Sequence, residues 1–331
     1  MTPPSKRAAV VYNPTKVDLA TLEAVVAAAE IRANWDHSLW FETTEDDPGV
    51  GQAKQALAEN TDVVMAAGGD GTVRAVAHAL RGTGVPLGLL PSGTGNLLAR
   101  NLDLTLDDVE HAIDTAFTGR NRSIDVGTVE AERPDGTRST DTFLVMAGVG
   151  LDAQMIANTN SELKKKVGWL AYVDAIARSL KGSNRVRMRF SVDDSPVRNM
   201  SAHTVLVGNC GSLPGNILLL PDAAVDDGVF DVVALRPRGL VGWVQIWVKI
   251  VWENGVLRRS IVGRKLMSFT KEVRTLRYLK GKSFTARLSR PEEYELDGDP
   301  FGTAIALRAT VEHLGLLVKV PDDGQGHGHD R

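Results

Sequence analysis

One cysteine among 331 residues, Cys210, rules out an internal disulfide and suits a reducing compartment. No apolar run reaches the length of about 18 residues that a membrane-spanning helix needs. Met1 does not open an apolar leader either. Lys6 and Arg7 lead directly into a short strand pattern, so no signal peptide is expected and the cytoplasm is the expected location. Aromatic residues make up only 5 %, and no recognition helix or aromatic RNA motif is visible, which argues against nucleic acid. Internal repeats are absent too. What is plentiful is apolar substance: 43 % hydrophobic residues, enough at this length to fill the cores of two domains.

The formal net charge of −3 conceals an asymmetry. Between Ala234 and Arg290 there are 14 Lys/Arg against only Glu253 and Glu272, a formal +12; the remainder carries 24 Lys/Arg against 39 Asp/Glu. Such a split points to an anionic partner for the C-terminal half. Trp243, Trp247 and Trp252 precede Arg258, Arg259, Arg264 and Lys265. Tryptophans on an amphipathic helix beside cations suit peripheral contact with an anionic membrane, at the inner face of a cell's bilayer. The same tryptophans also fit an ordinary core.

Ala8–Tyr12 reads as a buried strand ending in Asn13-Pro14, followed by helical spacing through Leu19, Leu22, Val25, Val26 and Ala29. A strand over Ser38–Glu42 and a helix over Gln52–Ala58 come next. Asp62–Val76 then opens as a short apolar run, passes three glycines around Asp70 and resumes at helical spacing: strand, glycine turn, helix. Val85–Leu90 opens in the same way into Pro91-Ser-Gly-Thr-Gly-Asn96, and a helix follows over Asp107–Phe117, started by Thr105 or Asp107. Alternating strands and helices imply a doubly wound parallel sheet, with ligands beyond the C-terminal strand ends. Both glycine loops leave strands at that edge and can face one ligand.

The glycines allow close backbone approach, and amides at the following helix N-terminus attract an anion. Asp70 would repel a phosphate unless a divalent cation bridged the two or a proton were to be abstracted. The alternative is a plain tight connection with Asp70 as N-cap.

Beyond Arg120, short strands appear without regular helical partners, over Ser123–Val129, Thr142–Ala147, Val186–Val192, His203–Asn209, Val229–Leu235, Ser283–Leu288 and Tyr294–Leu296. They predict a mostly antiparallel β-sandwich or barrel, interrupted by helices at Glu162–Leu180 and Leu240–Val256. The expected division is 1–122 for the α/β nucleotide-binding domain, with strands Ala304–Val311 and Leu316–Val320 returning to it, 123–303 for the β-rich domain, and a disordered tail over 321–331.

Gly68-Gly-Asp-Gly-Thr72, Pro91-Ser-Gly-Thr-Gly-Asn96, Ala99-Arg100, the Pro221–Asp231 segment and Glu295-Leu-Asp-Gly-Asp299 stand in order along nearly the whole chain. This set resembles the diacylglycerol kinase catalytic family, related to sphingosine and ceramide kinases. The first loop alone is shared with phosphofructokinases and NAD kinases. The resemblance implies an ATP-dependent lipid kinase that needs Mg²⁺ and acts on diacylglycerol or a related lipid. It leaves open an NAD kinase-like enzyme and a non-catalytic lipid- or nucleotide-binding module, and it raises a homodimer.

Carried over by position, the resemblance implies that Gly68, Gly69, Asp70, Gly71, Thr72, Val73 and Arg74 wrap the ATP phosphates. Gly93, Thr94 and Asn96 of the second loop and Thr44 (or Thr43) add contacts, and Asn13 supports the phosphate loop. Asp70 would hold the catalytic Mg²⁺. A second, structural Mg²⁺ would be held by Asp227 with the carbonyls of Ala224 and Val229; the alternative there is a plain Asp-Asp-Gly turn. Asp299 would accept the hydroxyl proton, with Asp297 as a metal-linked residue or rival base; Asp297-Gly298 also reads as a hairpin turn. The chain departs from the family in having Asp299 where Glu is usual, Arg74-Ala75 after the first loop, and Leu97 where Asp is common.

Overall fold

Strands β1 (Arg7–Tyr12), β3 (Val63–Gly68) and β4 (Leu87–Pro91) are short apolar runs because both of their faces are covered. The computed structural model describes residues 5–93, 95–150, 185–213, 217–220, 222–236 and 276–322. Thr94, the expected helices at Glu162–Leu180 and Leu240–Val256, the tryptophan segment with Arg258, Arg259, Arg264 and Lys265, and 323–331 of the tail lie outside these residues. The chain divides into two units, Met1–Val126 with His313–Arg331, and Gly127–Glu312.

In the first unit, strand β2 (Asp36–Glu42) pairs with β1, β1 with β3, and β3 with β4, all parallel. Helices α1 (Leu19–Ala33), α2 (Val50–Ala58), α3 (Asp70–Leu80), α4 (Leu97–Asn101) and α5 (Val109–Thr118) connect and follow them. Side chains alternate across the sheet. Ala8, Val10, Tyr12, Met65 and Leu90 face Leu22, Val26 and Ala29 of α1 and Ile113 and Phe117 of α5. Each such buried Leu, Val or Phe contributes about 1.5–3 kcal/mol. The α5 start differs from both expected positions: Asp108 is the N-cap, its Oδ1 accepting from the His111 amide at 2.9 Å, so neither Thr105 nor Asp107 caps the helix.

The second unit is antiparallel. The remaining strands are β5 (Arg120–Glu132), β6 (Arg138–Phe143), β7 (Met146–Val149), β8 (Val186–Val192), β9 (Arg198–Ala202), β10 (Thr204–Gly208), β11 (Ser212–Leu213), β12 (Ile217–Leu218), β13 (Phe230–Leu235), β14 (Leu276–Gly281), β15 (Ser283–Leu296) and β16 (Asp299–Val320). Within this unit the pairing runs β14-β13-β10-β7-β15-β16; the first half of β15 also pairs with β8, and β8 with β9. Phe143, Phe190, Phe230, Phe284, Tyr294 and Leu296 fill the sandwich core.

Three expectations change here. Ser283–Leu288 and Tyr294–Leu296 are one strand, irregular between Arg287 and Glu292, where Pro291 lacks the amide a regular ladder needs. Ala304–Val311 and Leu316–Val320 are likewise one strand, β16, which passes a left-handed residue at Leu314 (φ 53°). Thr142–Ala147 is two strands, broken at Leu144 and Val145 because their amides turn to the Asp297 carboxylate.

Candidate functional site

The four parallel strands end level with one another: Tyr12 pairs with Glu42 and with Ala67, and Gly68 pairs with Pro91. The residues that follow these ends are therefore neighbours along one edge. Asn13 follows β1, its amide donating to the Ala67 carbonyl at 2.9 Å, while its Oδ1 accepts from the Thr15 amide and hydroxyl. Asn13 thus ties down the strand that enters the first glycine loop. Thr44 lies beyond β2 and closes a turn with Asp47, its amide donating to the Asp47 carbonyl at 3.0 Å and its Oγ1 accepting from the Asp47 amide at 3.1 Å. Thr43 is buried, its amide bonded to the Tyr12 carbonyl.

Gly69 is the N-cap of α3, so Asp70 is not; it is the first helical residue. The correction has a physical basis. A glycine cap brings no side chain to cover the helix end, and nothing lies within 4 Å of where a Gly69 Cβ would stand. The amides of the first turn of α3, from Gly69 to Thr72, lie at the positive end of the helix dipole. Thr72 is buried and packs over Gly68, where a Cβ would come within 2.7 Å of the threonine side chain. The Val73 amide is already turned back to the Gly69 carbonyl at 3.1 Å. Arg74 sits one position further into the helix, partly exposed.

The second loop rests against the first. The Ser92 amide donates to the Gly68 carbonyl at 3.2 Å, and a Cβ at Gly93 would lie 2.9 Å from the Gly69 Cα. Asn96 (φ 47°) is left-handed, and its side-chain amide spans the loop, accepting from the Gly93 amide (3.2 Å) and donating to the Gly93 carbonyl (2.9 Å). Arg100 Nε donates to the Gly95 carbonyl at 2.7 Å. Asp70 joins the loops: its Oδ1 accepts from the Leu97 amide at 2.6 Å, and its Oδ2 faces Gly95 so closely that a Cβ there would collide with it. Motif reading had marked Asp70, Gly93 and Asn96 separately. Missed were this link and the Arg100 brace, since spacing along a chain does not show which loops touch.

Asp297 and Asp299 belong to the second unit. Asp297-Gly298 is the two-residue turn of the β15–β16 hairpin, with φ 51° and 88°, and Leu296 pairs with Asp299. Asp299 is partly exposed at the start of β16. Asp297 is 5 % exposed, and its carboxylate accepts from three successive main-chain amides of Leu144, Val145 and Met146.

Ala224, Asp227 and Val229 lie in the turn before β13. Asp227 is exposed and its Oδ1 accepts from the Val229 amide at 3.2 Å. Close by in sequence, buried Asp231 pairs with Lys280 at 3.2 Å, and Lys280 also donates to the Asp222 carbonyl at 2.8 Å. Burial pushes the Asp231 carboxyl up; Lys280 opposes this, and the charges of Asp227 and Asp222 add to it. Among the described residues no three His, Cys, Asp or Glu side chains gather as a metal-binding group.

A glycine-capped helix N-terminus among touching glycine loops suits a polyphosphate. The Asp70 carboxylate lies where the two glycine loops meet, and one hard oxygen ligand of this kind fits Mg²⁺ completed by phosphate oxygens and water. Known proteins resemble the chain over both of its units. The diacylglycerol kinase catalytic domain matches residues 7–129, and the YegS C-terminal NAD kinase beta sandwich-like domain matches 144–251. A diacylglycerol kinase of Staphylococcus saprophyticus is 31 % identical over 240 residues, 71 % of this chain and 74 % of that protein. One from Bacillus subtilis is 29 % identical over 246 residues, 73 % and 77 % of the two chains. In fold, a diacylglycerol kinase crystal structure from Bacillus anthracis gives a TM-score of 0.69 at 20 % identity, covering 98 % of this chain and 99 % of that one. Yeast NADH kinase complexed with NADH gives 0.53 at 10 %, covering 97 % and 85 %. The class is thus a kinase with an α/β nucleotide-binding unit and a β-sandwich unit. Within it, the chain belongs to the diacylglycerol kinase family.

Proposed function

We propose that the protein transfers the γ-phosphate of ATP to a lipid hydroxyl, with diacylglycerol the acceptor and phosphatidic acid the product. The observation that carries this reading is the strand-end edge of the first unit, where the glycine-capped α3 N-terminus and two touching glycine loops converge. The amides of Gly69 to Thr72 bind phosphate oxygens, and Gly93 lets the second loop close over the same group; Asn13, Thr44 and Arg74 line the rim. Thr94 lies between Gly93 and Gly95 in that loop. When bound, Mg²⁺ neutralises charge on the phosphoryl oxygens, and Asp70 would hold it.

The acceptor oxygen attacks the γ-phosphorus while its proton passes to the Asp299 carboxylate. The bond to the bridging oxygen breaks, and ADP leaves with that electron pair. A positioned carboxylate contributes about 10²–10⁴-fold to such a step. Asp227, with the Ala224 and Val229 carbonyls, would hold a second Mg²⁺ in a structural role. The excess of cations over Ala234–Arg290 holds the enzyme on anionic bilayers, which supply the substrate.

Likeness to yeast NADH kinase in fold favours one second reading, a kinase of NAD. Labelled ATP offered with mixed-lipid vesicles and, separately, with NAD distinguishes the two. Label on lipid, lost by about 10³-fold in Asp299→Asn, supports lipid phosphorylation. Label confined to NAD overturns it.

A further inference from the structure

We propose that Asp297 is a positioning residue rather than a base, filling a main-chain anion cradle and thereby fixing the hairpin tip that carries Asp299. The proposal rests on the reading of Asp299 as proton acceptor. Leu144 donates its amide to Oδ2 at 3.0 Å, and Val145 and Met146 donate to Oδ1 at 2.8 and 3.0 Å. The bond is returned, the Asp297 amide donating to the Met146 carbonyl at 2.9 Å. Carbonyls of the same segment are held from elsewhere. Asn209 donates its amide to Val145 and its side-chain nitrogen to Leu144, and Cys210 adds its amide on Val145 and its thiol on Leu144. Leu144, Val145, Asn209 and Cys210 are all at most 2 % exposed.

Three consecutive amides aimed at one buried carboxylate make a nest whose anion is supplied by the chain itself. With both oxygens engaged by main-chain amides and only 5 % of the residue exposed, this carboxylate is committed to the 144–146 segment. Its turn has only two residues, and Leu296 and Asp299 pair across it, so the tip has no slack between the anchor and Asp299. Misplacing a reacting group by about 1 Å costs on the order of 10²-fold in rate.

The test compares Asp297→Asn, Asp297→Ala and Asp299→Asn by steady-state kinetics over pH, and by hydrogen exchange of the Leu144–Met146 amides. For Asp297→Asn, kcat is expected to fall by about 10²-fold with KM for ATP unchanged, and the acid limb of the kcat profile stays as in wild type. In Asp299→Asn that limb is lost, while amide protection is kept. In Asp297→Ala, protection at 144–146 and at the 296–299 turn is expected to drop. Loss of the acid limb in Asp297→Asn overturns the proposal by making Asp297 the base. Unchanged kcat below the variants' melting temperatures, or unchanged protection in Asp297→Ala, overturns it as well. A fully active Asp299→Asn overturns the base reading on which it depends, and a wild type that labels no acceptor overturns the kinase reading itself.

Discussion

Two amide cradles in this chain invite comparison. At the α3 N-terminus a glycine cap, Gly69, begins the helix, and nothing lies within 4 Å of where its Cβ would stand. At Leu144–Met146, amides are aimed just as closely together, but Asp297 occupies the receptor. The first is capped by a glycine; the second is buried and filled from within. On the proposed reading, one kind of geometry serves to bind an anion where the chain supplies none and as a joint where the chain provides one.

Asp70 is where the open cradle is most vulnerable. Asp70→Ala is expected to lower phosphoryl transfer by about 10²–10³-fold, by removing a charge that acts on the transferring group. Asp70→Asn keeps an oxygen for the Leu97 amide and should restore the melting temperature lost in Asp70→Ala, but not the rate. Kinetics against Mg²⁺ concentration, with thermal melts, separate the two contributions; equal melting losses in both variants would remove Asp70 as the tie between the loops.

Gly95→Ala should have a smaller effect. Its new methyl meets the Asp70 carboxylate, so KM for ATP is expected to rise about tenfold, and overpacking should cost about 1–3 kcal/mol of stability. A wild-type KM would show that the loops move apart at no cost.

The smallest effect concerns the second unit alone. Burial, with the Arg185 charge added, holds the His203 imidazole below its ordinary range. The folded chain therefore binds a proton there less readily than the unfolded chain, and stability falls as pH drops below about 6.5. Melting curves at pH 7.5 and 5.5 should show a shallower pH dependence in His203→Gln, with transfer at pH 7.5 unchanged.

The sequence was most legible where a single element decides its own burial. β1, β3 and β4 are uninterrupted apolar runs because both faces are covered, and β8 occupies the expected Val186–Val192. The Asp297-Gly298 turn announces itself through residues that tolerate positive φ. β9 and β14 were invisible because edge strands each pair on one side only and carry polar residues such as Arg198, Asn199, Arg277 and Lys280. The break at Leu144–Val145 escaped for a different reason. Its cause is a carboxylate more than 150 positions away, and local pattern is blind to that. For the same reason the glycine loops could be recognised, but not the Asp70–Leu97 bond that makes them one structure.

Asp125, fully buried near the end of the first unit's opening segment, accepts from the Leu314 amide at 2.7 Å and meets His313 Nδ1 at 2.8 Å. Further along, Val318 pairs with Leu87 of β4. During synthesis the nucleotide-binding sheet therefore waits, its border open, while residues 127–312 emerge. A fragment stopped at Val126 would lack the strand that closes that border and the hydrogen bonds that satisfy its interior carboxylate, so the nucleotide-binding unit cannot be obtained intact by cutting the gene at one point.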